Sequence, residues 1–107
     1  MPFSRVAFDP GHKYRLRVLL RVEKEPGAVG EAFWAGVYDP TTKQSCGGIE
    51  PKVAATADGY AWYEVAEWVP QPEHYLWIGP GRFDKAAGTA SAIKAVFVDT
   101  FELSRVD

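Results

Sequence analysis

Residues 59–80 read GYAWYEVAEWVPQPEHYLWIGP and hold three of the chain's four tryptophans and three of its five tyrosines. Bulky residues alternate with small or charged ones over residues 60–69 and again over residues 75–79, and a period near two predicts two β-strands. Pro70 and Pro72 lie between these segments. They are expected in the connection, because a proline lacks the N–H group that a central strand needs. The stretch therefore predicts two strands joined by a turn and paired as neighbours.

A two-stranded hairpin is only marginally stable in water, so the rest of the chain has to supply a larger sheet and a second layer. Residues 14–23, YRLRVLLRVE, show the clearest alternation. The apolar set Leu16, Val18, Leu20 and Val22 is predicted to face the core. The arginines at positions 15, 17 and 21 are then expected on the opposite, solvent-facing side.

Further strands are expected over residues 3–8, 31–39, 43–49 (an edge strand, because glycines interrupt it) and 93–106, with a long loop over residues 81–92. In the last strand Val96 and Val98 are at even positions, whereas Phe101 and Leu103 are at odd positions, so a regular strand would turn the two pairs to opposite faces. This change predicts a β-bulge at residues 99–100. No segment of useful length has helical spacing. The chain is predicted to be all-β, a two-sheet antiparallel sandwich with jelly-roll connections, and Val65, Val96 and Val98 are expected to join its core.

Composition limits the classes of function. A chain of 107 residues is expected to form one domain, and its Met-Pro start suggests a piece of a longer protein. The formal charge of −2 provides no basic field for nucleic acid, and no apolar run has the length of a membrane helix. No secretion signal precedes the first strand. Cys46 cannot form an internal disulfide and is expected to be a small packed residue, not a nucleophile.

The aromatic residues of two predicted strands share one parity. Trp34 and Tyr38 alternate with the apolar residues of residues 31–39, and Tyr75 and Trp77 alternate with Leu76 and Ile78. If the aliphatic residues fill the core, the four aromatic side chains form an exposed surface, which is the pattern of a sugar-binding site. The alternative is that the large rings face inward, and the pattern leaves both open for Trp34 and Trp77. Trp62 and Trp68 are expected in the core.

Polar residues that suit sugar hydroxyls are Arg17, Arg82 and Asp84, although an arginine on a strand is also explained by charge pairing across strands. Glu64 and Glu67 are three residues apart, and on a regular strand this spacing places them on opposite faces. Hydrolysis of a glycoside needs two carboxylates that face each other, so the sequence favours a domain that is not an enzyme.

The order YRLRV, FWAGVYD, GYAWYEV, YLWIG and AVFVDTFEL resembles the galactose-binding-like jelly rolls, most closely the carbohydrate-binding modules attached to secreted glycoside hydrolases. The segments that carry the resemblance are Trp62 after Asp58-Gly59 and VDTFEL at residues 98–103. The resemblance implies a non-catalytic, extracellular module whose partners are a polysaccharide and the catalytic domain of its parent enzyme. It also implies a structural calcium, with Asp99 as the candidate ligand, unless Asp99 caps its own bulge. The competing hypothesis is a structural or protein-interaction sandwich, including a homodimer, that uses the same aromatic surface.

Overall fold

The chain folds into six β-strands, seen in a computed structural model that describes residues 2–27, 30–81 and 93–107. The strands are β1 (Tyr14–Lys24), β2 (Phe33–Asp39), β3 (Gln44–Ile49), β4 (Ala61–Trp68), β5 (Tyr75–Pro80) and β6 (Ile93–Arg105). The helical residues of the described part are two short 3₁₀ turns, Phe3–Arg5 and Val53–Ala55. The all-β prediction is confirmed.

Two antiparallel three-stranded sheets form the two layers. One has the order β4-β1-β6 and the other has the order β3-β2-β5. The central strands are β1 and β2, each of which pairs with a neighbour on both edges and buries one face. Residues 43–49 were expected at an edge, and β3 lies there. The predicted two-sheet sandwich is confirmed.

The core lies between the sheets. Its largest completely buried side chains include Phe33, Leu16, Leu20, Val18 and Val37, which come from β1 and β2. Val22 and Val65 are also buried, as predicted, and Val96 is half-buried against the core. The prediction for Val98 is wrong, since it is 47% exposed. Val98 lies on an edge strand next to a bulge, so neighbouring strands cover it on one side only.

The predicted pairing of the two strands in residues 59–80 is wrong. β4 pairs with β1, whereas β5 pairs with β2 in the other sheet. The Pro-Gln-Pro connection carries the chain across the sandwich instead of folding it back as a hairpin. Pro70 is completely buried, so the connection itself closes one end of the core.

A bulge at Val65 sets which side of β4 each residue faces. Leu16 pairs with Ala66 and Arg17 pairs with Glu64, so Val65 is the extra residue. A bulge reverses the parity of everything beyond it. Trp68 is therefore buried, as predicted, whereas Trp62 is 42% exposed and the prediction that it joins the core is wrong.

The predicted bulge in the last strand is confirmed. Leu19 pairs with Thr100 and Leu20 pairs with Val98, which leaves Asp99 as the extra residue. Beyond this point Phe101 and Leu103 pack against the core, as the change of parity requires.

Residues 3–8 do not form the predicted strand. Phe3–Arg5 is a 3₁₀ turn, and Pro2 makes a single bridge to Tyr75. The buried residue Phe3 explains the difference, because its ring inserts into the end of the core with its centroid 5.3 Å from that of Trp68. The predicted loop over residues 81–92 lies, apart from Gly81, outside the described residues.

Candidate functional site

The outer surface of the β3-β2-β5 sheet carries the four aromatic residues that the sequence grouped. We call this surface, formed by Trp34, Tyr38, Tyr75 and Trp77, the aromatic face. All four side chains are half-buried, while the residues alternating with them, such as Val37 and Leu76, fill the core. The indole centroids of Trp34 and Trp77 are 4.5 Å apart, and the rings of Tyr38 and Tyr75 are 5.4 Å apart. The four rings therefore lie on the outer side of the sheet, which is one of the two alternatives that the sequence left open for Trp34 and Trp77, but they are half-buried and not fully exposed.

Glycines lie beneath both indoles. Gly36 pairs across the strands with Trp77, and Gly79 pairs with Trp34. A Cβ atom added to Gly36 would lie 2.5 Å from Cζ2 of Trp77, and one added to Gly79 would overlap the indole of Trp34. Both glycines are buried because an indole covers them. The absence of side chains at these two positions lets the indoles lie across the sheet surface.

An open cleft of about 370 Å³ adjoins the aromatic face on its β3 side. It is lined by Ser45, Gly48, Ile49, Glu50 and Trp77. Gly48 pairs with Gly36, so two glycines lie side by side on the outer surface next to Trp77. Ser45 pairs with Tyr38 at one end, and Glu50 directly follows Ile49 at the other. The cleft thus combines an indole wall with a hydroxyl group and a carboxylate.

The described candidate residues outside the aromatic face, Arg17 and Asp99, lie elsewhere. Arg17 is on the outer surface of the opposite sheet, where its guanidinium donates to Oε1 of Glu102 at 2.6 Å. Arg82 and Asp84 lie outside the described residues. Asp99 is exposed at its bulge, and in the described part of the chain it belongs to no cluster of three possible metal ligands. Of the predicted ligand-binding residues, the structure brings together the four on the aromatic face.

The opposite sheet carries a row of arginines, as its alternation predicted. Arg15 contacts both Glu64 (3.4 Å) and Glu67 (3.3 Å). The expectation that these two carboxylates occupy opposite faces is wrong, because the bulge at Val65 lies between them and returns both to the outer surface. The guanidinium of Arg15 forms an ion pair with each of the two carboxylates on an open surface. The bulge therefore allows Glu64 and Glu67 to pair with the same arginine.

Exposed aromatic rings lie among these arginines. The guanidinium of Arg17 is 4.8 Å from the ring of Trp62, and that of Arg21 is 4.5 Å from the ring of Phe97 and 5.9 Å from that of Tyr60. These are cation–π distances. The second outer surface is therefore aromatic as well, but its rings are interleaved with charge.

His74 is the buried polar residue that sequence reasoning missed. Its Nδ1 accepts hydrogen bonds from Nε1 of Trp68 (3.1 Å) and from the backbone N–H of Gln71 (3.2 Å). An indole N–H and a backbone N–H can only donate, so the proton of the neutral ring is on Nε2. That nitrogen faces Oδ2 of Asp39 at 3.4 Å. The imidazole thus links β4 of one sheet to the end of β2 in the other.

Asp39 also organises the turn after β2. Its Oδ1 accepts from the backbone N–H groups of Thr41 (2.9 Å) and Thr42 (3.4 Å). Burial acts to raise the pKa of Asp39, but these hydrogen bonds outweigh it and the pKa lies below its ordinary value of 3.8. Asp39 therefore presents a stable negative charge to His74.

The groups around His74 offer two chemical alternatives, metal binding and thiolate chemistry at Cys46. Asp39, Glu73 and His74 place possible metal ligands within 4.8 Å of one another. A cation on Nε2 of His74 would require the proton to move to Nδ1, which would break the hydrogen bond from Trp68. Cys46 lies with Sγ 3.9 Å from Nε2, but burial and the charge of Asp39 raise the pKa of its thiol above 9.0, which disfavours a thiolate. The cluster is best described as a structural link between the sheets.

Sequence signals for the missed residues were weak. His74 lies between two turn residues and a strand, where an exposed position is the usual expectation. Ser45 and Glu50 belong to a glycine-rich edge segment that offers no alternation. The signal available for them was the glycine pair itself, because glycine within a strand often marks close approach of a ligand.

A scan against protein-family models finds no match to this chain, and searches of curated proteins and of solved structures find none either. Among the described residues, no helix has the length and apolar character to cross a membrane.

Proposed function

We propose that the domain is a non-catalytic carbohydrate-binding module that holds a polysaccharide on the aromatic face. The observation that carries the proposal is the pair of indoles, Trp34 and Trp77, that lie over Gly79 and Gly36 on the outer side of the sheet. An indole in this position offers a ring face to the apolar C–H surface of a sugar.

The arrangement supports sugar binding over simple packing for two reasons. A core indole interdigitates with other side chains, whereas these two lie over backbone that has no Cβ atoms. Polar groups are also close by, since Trp77 shares the adjoining cleft with Ser45 and Glu50. Sugar recognition needs this combination of an apolar surface and hydrogen-bonding groups.

The test is truncation of each indole. Trp34→Ala and Trp77→Ala should each reduce affinity for an immobilised polysaccharide by roughly 1 to 3 kcal/mol. The stability of the folded domain should fall by less than the roughly 3 to 5 kcal/mol expected for a buried tryptophan, because both indoles are half-buried. Affinity electrophoresis in gels containing single polysaccharides measures the first quantity, and urea unfolding measures the second.

Two other tryptophans serve as matched controls. Trp68→Ala removes a buried indole and should cost about 3 to 5 kcal/mol of stability. Trp62→Ala removes an exposed indole on the opposite sheet and should leave polysaccharide retention unchanged. The proposal fails if Trp34→Ala and Trp77→Ala retain full binding, or if Trp62→Ala weakens it equally.

The biological setting is part of the same proposal and comes from the resemblance to galactose-binding-like jelly rolls. On this proposal the domain is an extracellular accessory module, linked in one chain to a catalytic domain that acts on the bound polysaccharide. A structural calcium at Asp99 remains a prediction, which thermal melts with and without EDTA would test.

A second candidate function is a protein-interaction sandwich. It is favoured by the exposed rings of Tyr60, Trp62 and Phe97 on the opposite sheet, which are 52%, 42% and 40% exposed. Aromatic residues and arginines are enriched where proteins bind one another. Sedimentation equilibrium tests self-association: a dimer that Trp62→Ala dissociates, together with no polysaccharide retention, would favour this function over the first.

A further inference from the structure

We propose that two copies of this chain form a weak dimer in which their β6 strands pair antiparallel along the outer edge of the β4-β1-β6 sheet. In this dimer Arg21 of each copy binds the carboxylate of Asp99 of the other copy. The surface is separate from the aromatic face, so the proposal goes beyond the proposed carbohydrate-binding function and does not depend on it.

The first observation is the exposure of two apolar neighbours on β6. This strand lies at the edge of its sheet and, among the described strands, pairs only with β1. Phe97 and Val98 are consecutive residues of β6 and are 40% and 47% exposed. Consecutive side chains of a strand point to opposite faces of the sheet. An occupant that covers both residues must therefore lie along the edge, as another strand does.

The second observation is the position of the Arg21 side chain. Its guanidinium is 4.5 Å from the ring of Phe97 and 5.9 Å from that of Tyr60, so it leans across β6 toward the edge. A guanidinium over an aromatic ring keeps N–H donors at its rim, which suit a carboxylate. Arg15 and Arg17 already form ion pairs with glutamates, whereas no ion pair of Arg21 occurs within the described part of the chain.

The bulge at Asp99 supplies an acidic group on the same surface. Val98 and Phe101 both pair with buried residues of β1 and point inward. The two residues between them are therefore left on the outer side, which is also the side of Phe97 and Arg21. Asp99 is exposed, and the described residues provide it with no ion pair. One edge thus carries a cation and a carboxylate that do not meet within one copy.

Antiparallel pairing brings these two charges together. A two-fold axis through an antiparallel strand pair places one residue opposite its own copy. With the axis at Val98, the residues on either side of it become partners, so Phe97 lies opposite the partner's Asp99. Opposite residues share a face of the sheet, which places that carboxylate beside the guanidinium over Phe97. The symmetry forms the ion pair twice, and a net charge of −2 per copy adds little repulsion.

The experiment is sedimentation equilibrium at loading concentrations from about 10 µM to about 1 mM, because pairing along one strand buries less area than a standard interface. EDTA is present, so that calcium cannot bridge two copies through Asp99. The wild-type domain should dimerise in this range. Arg21→Glu and Asp99→Arg should each weaken the association by about tenfold or more, since each substitution enters the interface twice. The double variant that carries both reversals should recover the association, because the charges are then exchanged.

Asp58→Arg is the matched control, since it makes the same charge reversal at an exposed aspartate that precedes β4, at the other edge of the sheet. It should leave the association unchanged, and so should Trp62→Ala. Thermal melts should show that every variant is folded. A wild-type domain that stays monomeric throughout the range overturns the proposal, as do single reversals that dimerise like wild type. A folded double variant as weak as the single ones also overturns it. Trp34→Ala should not change the association, so this proposal and the proposed function can fail separately.

Discussion

One imidazole connects the two halves of the sandwich. His74 directly precedes β5 of one sheet. Its imidazole accepts a hydrogen bond from Trp68 of the other sheet and faces the carboxylate of Asp39. His74 and Trp68 are buried, so the loss of one leaves a polar group of the other without its hydrogen bond.

We expect His74→Ala to destabilise the domain by roughly 2 to 4 kcal/mol, because it creates a cavity and leaves the indole N–H of Trp68 unsatisfied. His12→Ala is the matched control, because the His12 side chain is 39% exposed and its polar contact among the described residues is an exposed one with Asp107, so the substitution should change stability by no more than about 0.5 kcal/mol. Urea unfolding measures both. Equal effects of the two substitutions would show that the buried link contributes nothing.

The thiol of Cys46 should react slowly. Burial and the nearby charge of Asp39 raise its pKa above the ordinary value of 9.0, so less thiolate is present at neutral pH than on a free cysteine. Alkylation by iodoacetamide at pH 8 should be slower in the folded domain than in the same protein in urea, and should accelerate with pH. A rate in the folded domain above that of glutathione would contradict this.

At the scale of the strand, two of the bulges decide which side chains of β4 and β6 face the core. The one at Asp99 could be predicted, because the apolar residues on its two sides have opposite parity and no regular strand satisfies both. The bulge at Val65 is flanked by apolar residues at both odd and even positions of β4. The apolar pattern therefore does not show that a residue is inserted there. Its signal was the spacing of Glu64 and Glu67, which can share a solvated surface only if an extra residue lies between them.

Substitution of a glycine under the indoles should affect both the stability of the β3-β2-β5 sheet and the retention of polysaccharide. Gly36→Ala would place a methyl group 2.5 Å from the Trp77 indole and displace it, so we expect a loss of about 1 to 3 kcal/mol in stability and a loss of polysaccharide retention. Gly59→Ala is the control, because a Cβ atom there meets nothing within 4 Å. Its stability should be unchanged or slightly higher. If Gly36→Ala retains the polysaccharide as strongly as wild type does, the position of the indole does not determine binding.

At the scale of the whole molecule, the sequence was sufficient for the positions of the six strands and for the face that β1 buries, but it placed a further strand at residues 3–8, where the chain forms a 3₁₀ turn. It was insufficient for strand partners, since β4 and β5 are adjacent in the chain but lie in different sheets. Partner choice depends on the connection and the second layer, and neither leaves a periodic signal. The same limit applies to the site: the aromatic face follows from parity, but the cleft depends on β3 pairing with β2 at Gly36 and Gly48.

Acid should destabilise the whole domain. The pKa of Glu102 is lowered by its hydrogen bond from Arg17, that of Asp107 by the backbone N–H of Lys13, and that of Asp39 by the turn described above. Each carboxyl therefore binds its proton at a higher pH in the unfolded chain, so stability is complete above the ordinary values of 3.8 and 4.5 and falls as pH decreases below them. Thermal midpoints measured from pH 7 to pH 3 should decline below about pH 4.5, and Glu102→Gln should flatten the decline. A midpoint that stays constant across this range would contradict the assignment.

The contact between Trp34 and Trp77 also gives the domain an optical property. Two indoles with centroids 4.5 Å apart and planes tilted by 53° are close enough for their electronic transitions to couple. Coupled chromophores produce paired circular dichroism bands of opposite sign in the far ultraviolet, a signal distinct from that of the strands. Trp34→Phe should abolish this couplet without changing the fold, and a bound sugar that shifts either ring should alter its amplitude. The domain would then report its own occupancy in free solution, without a label and without immobilisation.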